Sequence, residues 1–533
     1  MTLCWFCIGP WSLCQENRYV VHFTDKINSP FSVDNPEQYL GPRSIQRRLK
    51  QEIPITEEDL PPNTSYLNGL KSIGVQVFYT SRWFNAVLIQ NDPQLLTEIE
   101  NLPFVDQVEL VASGARLNSR INQTSSVWTV NSAAEVQELL QNEMLGITEM
   151  HLQDYKGQEM LIGVLDGGFN GVDTISAFNH VFTNDRLLSV YDFVTDSDDI
   201  YRYTDHGTQV FSCLAALKDD EITGTSPDAE FLLFVTEDVS EESRIEEYNW
   251  LFATEMADSI GVDIINSSVG YNTDFSDPAM NYVIDDMDGN TTVIARAANM
   301  AAQRGILLVA SAGNEGNNSW QRIVSPADSE NVLSIGNIRE NGLLSSSSSR
   351  GPTADNRIKP DLVALGTGTV VVKGSGEVST SSGTSFSSPL VTGLAAGYWQ
   401  ANPELTNFQV MENLRNSGDN VENPNNLVGY GVPHFIRAQL NTVTGLIDLK
   451  PNEFNLYPNP IRNNKLFIDV NTPLPHYEIV IYGINGVLID HQIKSNVMVG
   501  ETIELNISTL PSGLYILNLL TPNDSFRFRL IKY

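Results

Sequence analysis

From residue 146 to about residue 442 the chain repeats one pattern: a continuous apolar run, a polar or Gly-rich loop, then a stretch with helical spacing. Met160-Leu161-Ile162-Gly163-Val164-Leu165, Phe231-Leu232-Leu233-Phe234-Val235, Val262-Asp263-Ile264-Ile265-Asn266 and Ile306-Leu307-Leu308-Val309-Ala310 lack the alternation of a strand with one wet face. They suit strands buried on both faces. Residues 245–260 and 293–304 supply helical stretches between them. The pattern predicts an α/β unit, a doubly wound, mostly parallel sheet with flanking helices and with its loops at the carboxyl ends of the strands, where such sheets place sites. Asp166 and Asn314 fall at or just past such ends.

Different patterns flank this unit. Residues 18–26, 75–79, 85–89 and 105–111 alternate as strands do, and residues 66–73, capped by Asn63 or Thr64, and 93–101 read as helices. A small α+β domain over 15–112 fits them. Residues 113–145 lose periodicity and carry Ser, Asn and Thr, an exposed linker that a protease could cut. The α/β unit is expected over 146–447, followed by a linker, 448–453. Residues 454–533 hold short alternating strands, 465–470, 477–482, 502–507 and 514–520, separated by Asn-Gly and Pro-Ser-Gly turns, which predict a small β-sandwich.

The 533 residues carry a formal charge of −33, which argues against nucleic acid or anionic membrane as partner and suits a self-repelling extracellular protein. Three of the four cysteines, Cys4, Cys7 and Cys14, lie in the first fourteen residues, so no intrachain disulfide framework or cysteine zinc site is expected beyond them. Cys213, among apolar neighbours, reads as a packed helix residue. Residues 1–14 are apolar without a basic start and read as a shortened signal peptide.

The candidate chemistry centres on Gly383-Thr384-Ser385-Phe386-Ser387-Ser388-Pro389, where a polar loop enters a small, apolar helix. Pro389 is expected in the first helical turn, where its missing N–H has no partner. Orphan N–H groups and the helix dipole there favour an oxyanion beside Ser385. A serine hydroxyl needs a base, and the base needs a carboxylate to fix its tautomer. His206, in Thr204-Asp205-His206-Gly207-Thr208, stands at the mouth of an apolar helix, with Gly207 leaving its imidazole unshielded, and Asp166 opens Asp166-Gly167-Gly168.

Asp-Gly-Gly, His-Gly-Thr and Gly-Thr-Ser-Phe-Ser-Ser-Pro, in that order, resemble the three signature segments of subtilisin-like serine proteases, the subtilases. Ser311-Ala312-Gly313-Asn314 is similar to the family's oxyanion loop. Ile265-Asn266-Ser267-Ser268-Val269-Gly270 is similar to the strand that pairs with substrate backbone. The resemblance implies a peptide-bond hydrolase. In it His206 is base and acid, Asp166 orients it, Ser385 is the nucleophile, and the Asn314 amide with the Ser385 N–H receives the oxyanion. Ser268, Val269, Gly270, Ser311, Ala312 and Gly313 would line a small-walled pocket for a bulky apolar side chain. The alternative is a pseudoprotease or surface-binding protein that keeps the fold. A lipase-like hydrolase fails on the absence of G-x-S-x-G and on the Asp–His–Ser order. The family often binds calcium, and Asp196-Ser197-Asp198-Asp199 is an acidic loop, but it lacks a complete ligand spacing, and no metal ligand is assigned. Two departures are Leu365, where the family favours proline, and Gly168. The run Ser345–Ser349 is expected only to loosen a loop.

The flanks carry resemblances too. Ser44-Ile45-Gln46-Arg47-Arg48 and Ser81-Arg82-Trp83-Phe84-Asn85-Ala86 are similar to an inhibitory subtilase propeptide. Leu456-Tyr457-Pro458-Asn459-Pro460, Ile481-Tyr482-Gly483-Ile484-Asn485-Gly486, Leu510-Pro511-Ser512-Gly513-Leu514-Tyr515 and the basic end Arg527, Arg529, Lys532 resemble the sorting domain of the type IX secretion system. They imply three partners: protein substrates, the chain's own propeptide and the export machinery. They also imply a secreted or surface location reached through a Gram-negative periplasm.

Overall fold

The computed structural model describes residues 17–114, 134–273, 275–445, 454–462, 464–470, 474–483, 488–497, 500–511, 513–520 and 525–532. The signal-like segment 1–14 with its three cysteines, residues 115–133 of the expected linker and the linker 448–453 lie outside them, as do the Asn485-Gly486 turn and the side chains of Arg527 and Arg529, while the end of the expected linker is not linker but helix Ala134–Leu145.

Seven parallel strands form the central sheet in the order Leu362–Leu365, Val332–Ile338, Leu307–Ser311, Ile264–Ser267, Leu161–Asp166, Glu230–Val235, Leu187–Asp192. The chain enters in the interior, at Leu161–Asp166, builds one edge, then crosses to build the other, so the order reverses at the strand that ends in Asp166. The four uniformly apolar runs are four of these strands. The other three escaped the pattern for local reasons. Val332–Ile338 is broken by Ser334, Gly336 and Asn337, whose backbone N–H groups at 334 and 337 are taken by Asp361 and Ser348. Leu362–Leu365 is four residues long, and Leu187–Asp192 is a half-exposed edge. Helices Ile245–Ile260 and Val293–Gln303 cover one face; His206–Ala215 and the buried Thr384–Ala401 lie in the core on the other. Cys213 is buried in His206–Ala215, and burial pushes its thiol pKa up.

The N-terminal unit is an antiparallel sheet, in the order Gln76–Ser81, Ala86–Asn91, Asn17–Phe23, Val105–Ala112. Helices Thr64–Ser72, capped by the Asn63 side chain, and Leu96–Glu100 pack on one face with Tyr19, Val21, Val87 and Ile89. The other face, Val20, Ala86, Leu88 and Val111, joins a core shared with Tyr248, Trp250 and Leu251 of helix Ile245–Ile260. Both faces are therefore dry, which is why Tyr19-Val20-Val21 is continuously apolar.

A helix the sequence pattern missed, Pro42–Lys50, carries this docking. Asp258, fully buried on Ile245–Ile260, accepts from Arg47, from Arg48 at 2.7 Å and from Arg82 at 3.1 Å. Desolvation alone would raise its pKa, but the three guanidinium groups outweigh that and hold the carboxyl below its ordinary range. Glu255, one turn earlier, receives the backbone N–H groups of Arg82 and Trp83 at 2.7 and 3.2 Å, and burial pushes its carboxyl up. Asp59 bridges Arg48 at 3.0 Å and Arg304 of the α/β unit at 2.9 Å.

The C-terminal unit is two antiparallel sheets. One holds Phe454–Tyr457, Lys465–Val470 and Thr502–Asn506; the other holds Leu488–Val497, Leu474–Gly483, Gly513–Leu520 and Ser525–Lys532. They enclose Leu466, Ile468, Tyr477, Ile479, Leu505 and Leu517. The basic end is part of this structure: Lys532 is buried and its Nζ donates to the Ile507 carbonyl at 2.8 Å.

Asp258→Ala in the full chain leaves buried Arg47 without an ion-pair partner and Arg48 and Arg82 with only Asp59 and Glu255, a change that costs about 3–5 kcal/mol. Urea unfolding should show a lower midpoint, with faster amide exchange across residues 17–112. Unchanged values of both would contradict the role given to this carboxylate.

Candidate active site

Asp166 ends its strand and is 1% exposed, so its carboxylate has few donors besides what the fold brings to it. His206 is the first residue of its helix, and its Nδ1 lies 2.9 and 3.0 Å from the two Asp166 oxygens. A carboxylate can only accept, so Nδ1 carries the proton and Nε2 keeps its lone pair. Desolvation lowers the imidazole pKa, but the Asp166 charge and hydrogen bond, helped by Asp205, outweigh it and hold His206 above its ordinary value.

Gly207 has a different reason from the one its sequence suggested. A Cβ there would sit 2.5 Å from the Gly168 carbonyl and 3.0 Å from the Asp166 Cβ. Gly207 is what lets the helix start close against the strand end. Gly168 is likewise demanded by packing, since a Cβ on it would lie 2.7 Å from the Arg202 carbonyl.

Ser385 is the second residue of helix Thr384–Ala401 and is 7% exposed. Its Oγ donates to the Ser268 carbonyl at 3.4 Å, and the Phe386 ring beside it lies 5.8 Å from the His206 ring. Asn314, on an exposed loop just past Leu307–Ser311, accepts the Thr384 backbone N–H on its Oδ1 at 2.9 Å. That bond caps the helix in place of Gly383 and turns the Asn314 NH2 away from Thr384, the end that can donate to a bound group.

The structure corrects the placing of Pro389. It stands in the second turn, not the first, inside the helix. There its missing N–H leaves the Ser385 carbonyl without the partner that residue 389 would have supplied. The Ser268 Oγ donates to that carbonyl at 2.9 Å.

Of the six residues expected to line a pocket, Gly270 and Gly313 converge on Val324, whose methyl carbon would be 2.4 and 2.9 Å from a Cβ at either position. Val269 is half-buried against the core; Ser311 and Ala312 are buried in and beside the sheet. The serine run does more than loosen a loop. Ser348 and Ser349 are buried, and Ser349 donates its backbone N–H to the Gly313 carbonyl at 2.9 Å while its Oγ accepts from Glu315 at 3.0 Å. In the acidic loop at 196–199, Asp196 accepts phenol groups from Tyr79 and Tyr191, and Asp199 pairs with Arg202 at 2.6 Å.

Sequence reasoning passed over Asn266, Ser388 and Thr392. The Asn266 Oδ1 accepts from the Ser388 and Thr392 hydroxyls at 2.9 and 3.0 Å, and its Nδ2 donates to the Ser268 Oγ at 3.0 Å. The available signal was a hydroxyl pair four residues apart on a buried helix, opposite an asparagine inside an apolar run.

Residues 157–431 match the model of the Subtilase family, residues 18–127 that of the Peptidase S8 propeptide domain of Bacteroidota, and residues 455–533 that of the secretion system C-terminal sorting domain. The chain is 25% identical to serine protease AprX of Bacillus subtilis (strain 168) over 339 residues, 57% of this chain and 72% of that protein. It is 26% identical to the thermophilic serine proteinase of Bacillus sp. (strain AK1) over 358 residues, 65% of this chain and 76% of the other. Among solved structures, MycP1 from Mycobacterium smegmatis aligns at 22% identity over 56% of this chain and 83% of its own, with a TM-score of 0.45. The chain belongs to the subtilase family. It is a serine-type endopeptidase with a propeptide domain at one end and a secretion sorting domain at the other.

Because Asp166 holds the His206 pKa up, Asp166→Asn should move the His206 titration to lower pH. Neutral, base-competent imidazole would then persist further into acid, though in a less fixed tautomer. NMR titration of the His206 ring in both forms measures this; an unmoved or raised midpoint would contradict the pairing.

Proposed function

We propose that the protein hydrolyses peptide bonds through an acyl-enzyme on Ser385, with His206 as base and then acid, Asp166 as its orienting carboxylate, and the Asn314 amide and Ser385 N–H as oxyanion donors. The observation that carries this reading is the two-oxygen contact of Asp166 with His206 Nδ1, at the carboxyl ends of the strands. It leaves an unprotonated Nε2 on a side chain 37% open to solvent. The base can take the Ser385 proton and return it to the leaving amine. Negative charge then develops on the substrate oxygen, beside the helix N-terminus and the exposed Asn314 amide. Val324, between Gly270 and Gly313, gives the neighbouring surface an apolar wall suited to an apolar side chain before the scissile bond.

The N-terminal unit acts as intramolecular inhibitor until it is cut away. Its buried arginines on Asp258 and the Glu255 contacts to its backbone support this, since they hold the unit by one face to helix Ile245–Ile260, across the sheet from the Ser385 helix. The C-terminal sandwich is the address for a type IX route through the periplasm of a Gram-negative bacterium. Its own enclosed core supports a separable role.

Ser385→Ala should lower turnover by about 10⁴- to 10⁶-fold while leaving the fold unchanged. Assay of a peptide substrate alongside fluorophosphonate labelling tests it; retained cleavage would defeat the mechanism.

A chain ended at Asp448 should hydrolyse peptides at a rate near that of the full chain after N-terminal processing, yet remain in the periplasm of its host. Normal export with impaired turnover of folded substrates would instead make the sandwich a substrate-binding module.

A further inference from the structure

The nucleophile's helix has a defect built into it, and the strand beside it repairs that defect. In an unbroken α-helix the carbonyl of residue 385 accepts from the N–H of residue 389. Residue 389 is proline, and the carbonyl is buried with Ser385. A buried carbonyl without a donor is costly, so something must fill the gap.

The donors and acceptors from the Ser385 carbonyl to Asn266 follow one from another. The Ser385 carbonyl only accepts, so the Ser268 Oγ, 2.9 Å away, spends its single proton on it. The Ser268 oxygen must then accept from its other neighbour, which is the Asn266 Nδ2 at 3.0 Å. That fixes the Asn266 amide with its oxygen toward the helix, where it receives the Ser388 hydroxyl at 2.9 Å and lies 3.0 Å from the Thr392 hydroxyl, whose proton is shared with the Ser388 carbonyl at the same distance. All five residues are buried. The Ser268 carbonyl also receives the Ser385 Oγ, so residues 268 and 385 exchange contacts between main chain and side chain in both directions.

We propose that Ser268 is a positioning residue for Ser385: its hydroxyl replaces the helix bond that Pro389 removes, and with Asn266 it sets where the nucleophile stands relative to His206. The proposal rests on Ser385 being the nucleophile. Three consequences follow. Ser268 acts through its own hydroxyl on the helix rather than as a wall of the substrate pocket. Its importance depends on the proline. Loss of the hydroxyl should reduce the rate of the chemical step more than substrate binding.

The test is a double-mutant cycle between residues 268 and 389 in the full chain, allowed to process and counted by fluorophosphonate titration. Ser268→Ala should lower kcat per titrated site on the order of ten- to a hundred-fold with KM little changed, because small displacements of a nucleophile carry losses of that size. Ser268→Thr, which keeps the hydroxyl, should recover most of the loss. In a Pro389→Ala background the helix has its own donor for the Ser385 carbonyl, and the loss caused by Ser268→Ala should shrink at least about five-fold. A merely structural role would lower the melting temperature and leave kcat per site unchanged. Equal losses in both backgrounds, or a kcat within two-fold of the parent, would overturn the inference while leaving the mechanism standing. Cleavage by Ser385→Ala would instead remove the mechanism itself. If Ser268→Ala does not fold, Ser268→Cys, whose thiol is a weak donor, is carried through the same cycle. Failure of both to give titratable enzyme in either background would mean that Ser268 holds the fold and not the nucleophile, and would overturn the inference as well.

Discussion

A helix buried on every side cannot leave a polar group to water, and this constraint organises the centre of the molecule. Thr384–Ala401 carries five hydroxyl side chains and a proline in its first three turns, all of them buried. Their partners have to come from the ends of the neighbouring strands. Leu307–Ser311, Ile264–Ser267 and Leu161–Asp166 are adjacent and parallel, with Ser267 in register with Leu165 on one side and Ala310 on the other. At about 4.8 Å per strand, the residues that follow them lie in a row spanning about 10 Å. Asp166, Ser268 and the Asn314 loop are that row. The sheet register thus presents a carboxylate for the base, a hydroxyl for the helix defect and an amide for the helix cap to one helix start.

The second organising interaction is electrostatic and lies on the opposite face of the sheet. The chain has 65 acidic against 32 basic residues, yet three arginines of the N-terminal unit converge on one buried carboxylate. Guanidinium does not lose its proton in water, and Asp258 is held below its ordinary range, so these pairs persist over the whole pH span of ordinary proteins. Separation of the two units would expose charges from a dry interface that also buries Val20, Leu88 and Trp83.

What could be read from the sequence followed from how local each role is. Four sheet strands were legible because burial on both faces leaves an uninterrupted apolar run. Val332–Ile338 was not, because its Ser and Asn are satisfied by residues distant in sequence. Asp166, His206, Asn314 and Ser385 could be singled out because their short motifs, each weak alone, stand together in the order of the segments they resemble. Asn266 was not, because its role exists only once Ser388 and Thr392, 122 and 126 residues away, are brought opposite it. Pro389 was read by the rule for first turns, and the rule failed by one turn, which mattered because the carbonyl it orphans belongs to Ser385. The N-terminal motifs around Arg47 and Arg82 were visible as a resemblance, while their reason, a single aspartate on a helix more than 170 residues later, was not.

The histidines show how the fold sets His206, the base proposed above, apart from structural imidazoles. His22, His151, His180 and His434 are all pushed below the ordinary value, chiefly by burial, and His434 falls to about 4 beside Arg437. Such groups are kept neutral, and their rings serve as packing and as partners to carbonyls, as His151 does to Thr225 and His180 to Pro227 at 3.1 Å. His206 loses solvation too, but it alone of these five faces a buried carboxylate at hydrogen-bond distance, and its pKa moves the other way. A base that must hold a proton briefly needs its charged form stabilised, and an imidazole that only packs does not. The sign of the shift follows from Asp166, and Asp166 stands where it does because the strand order of the sheet reverses there.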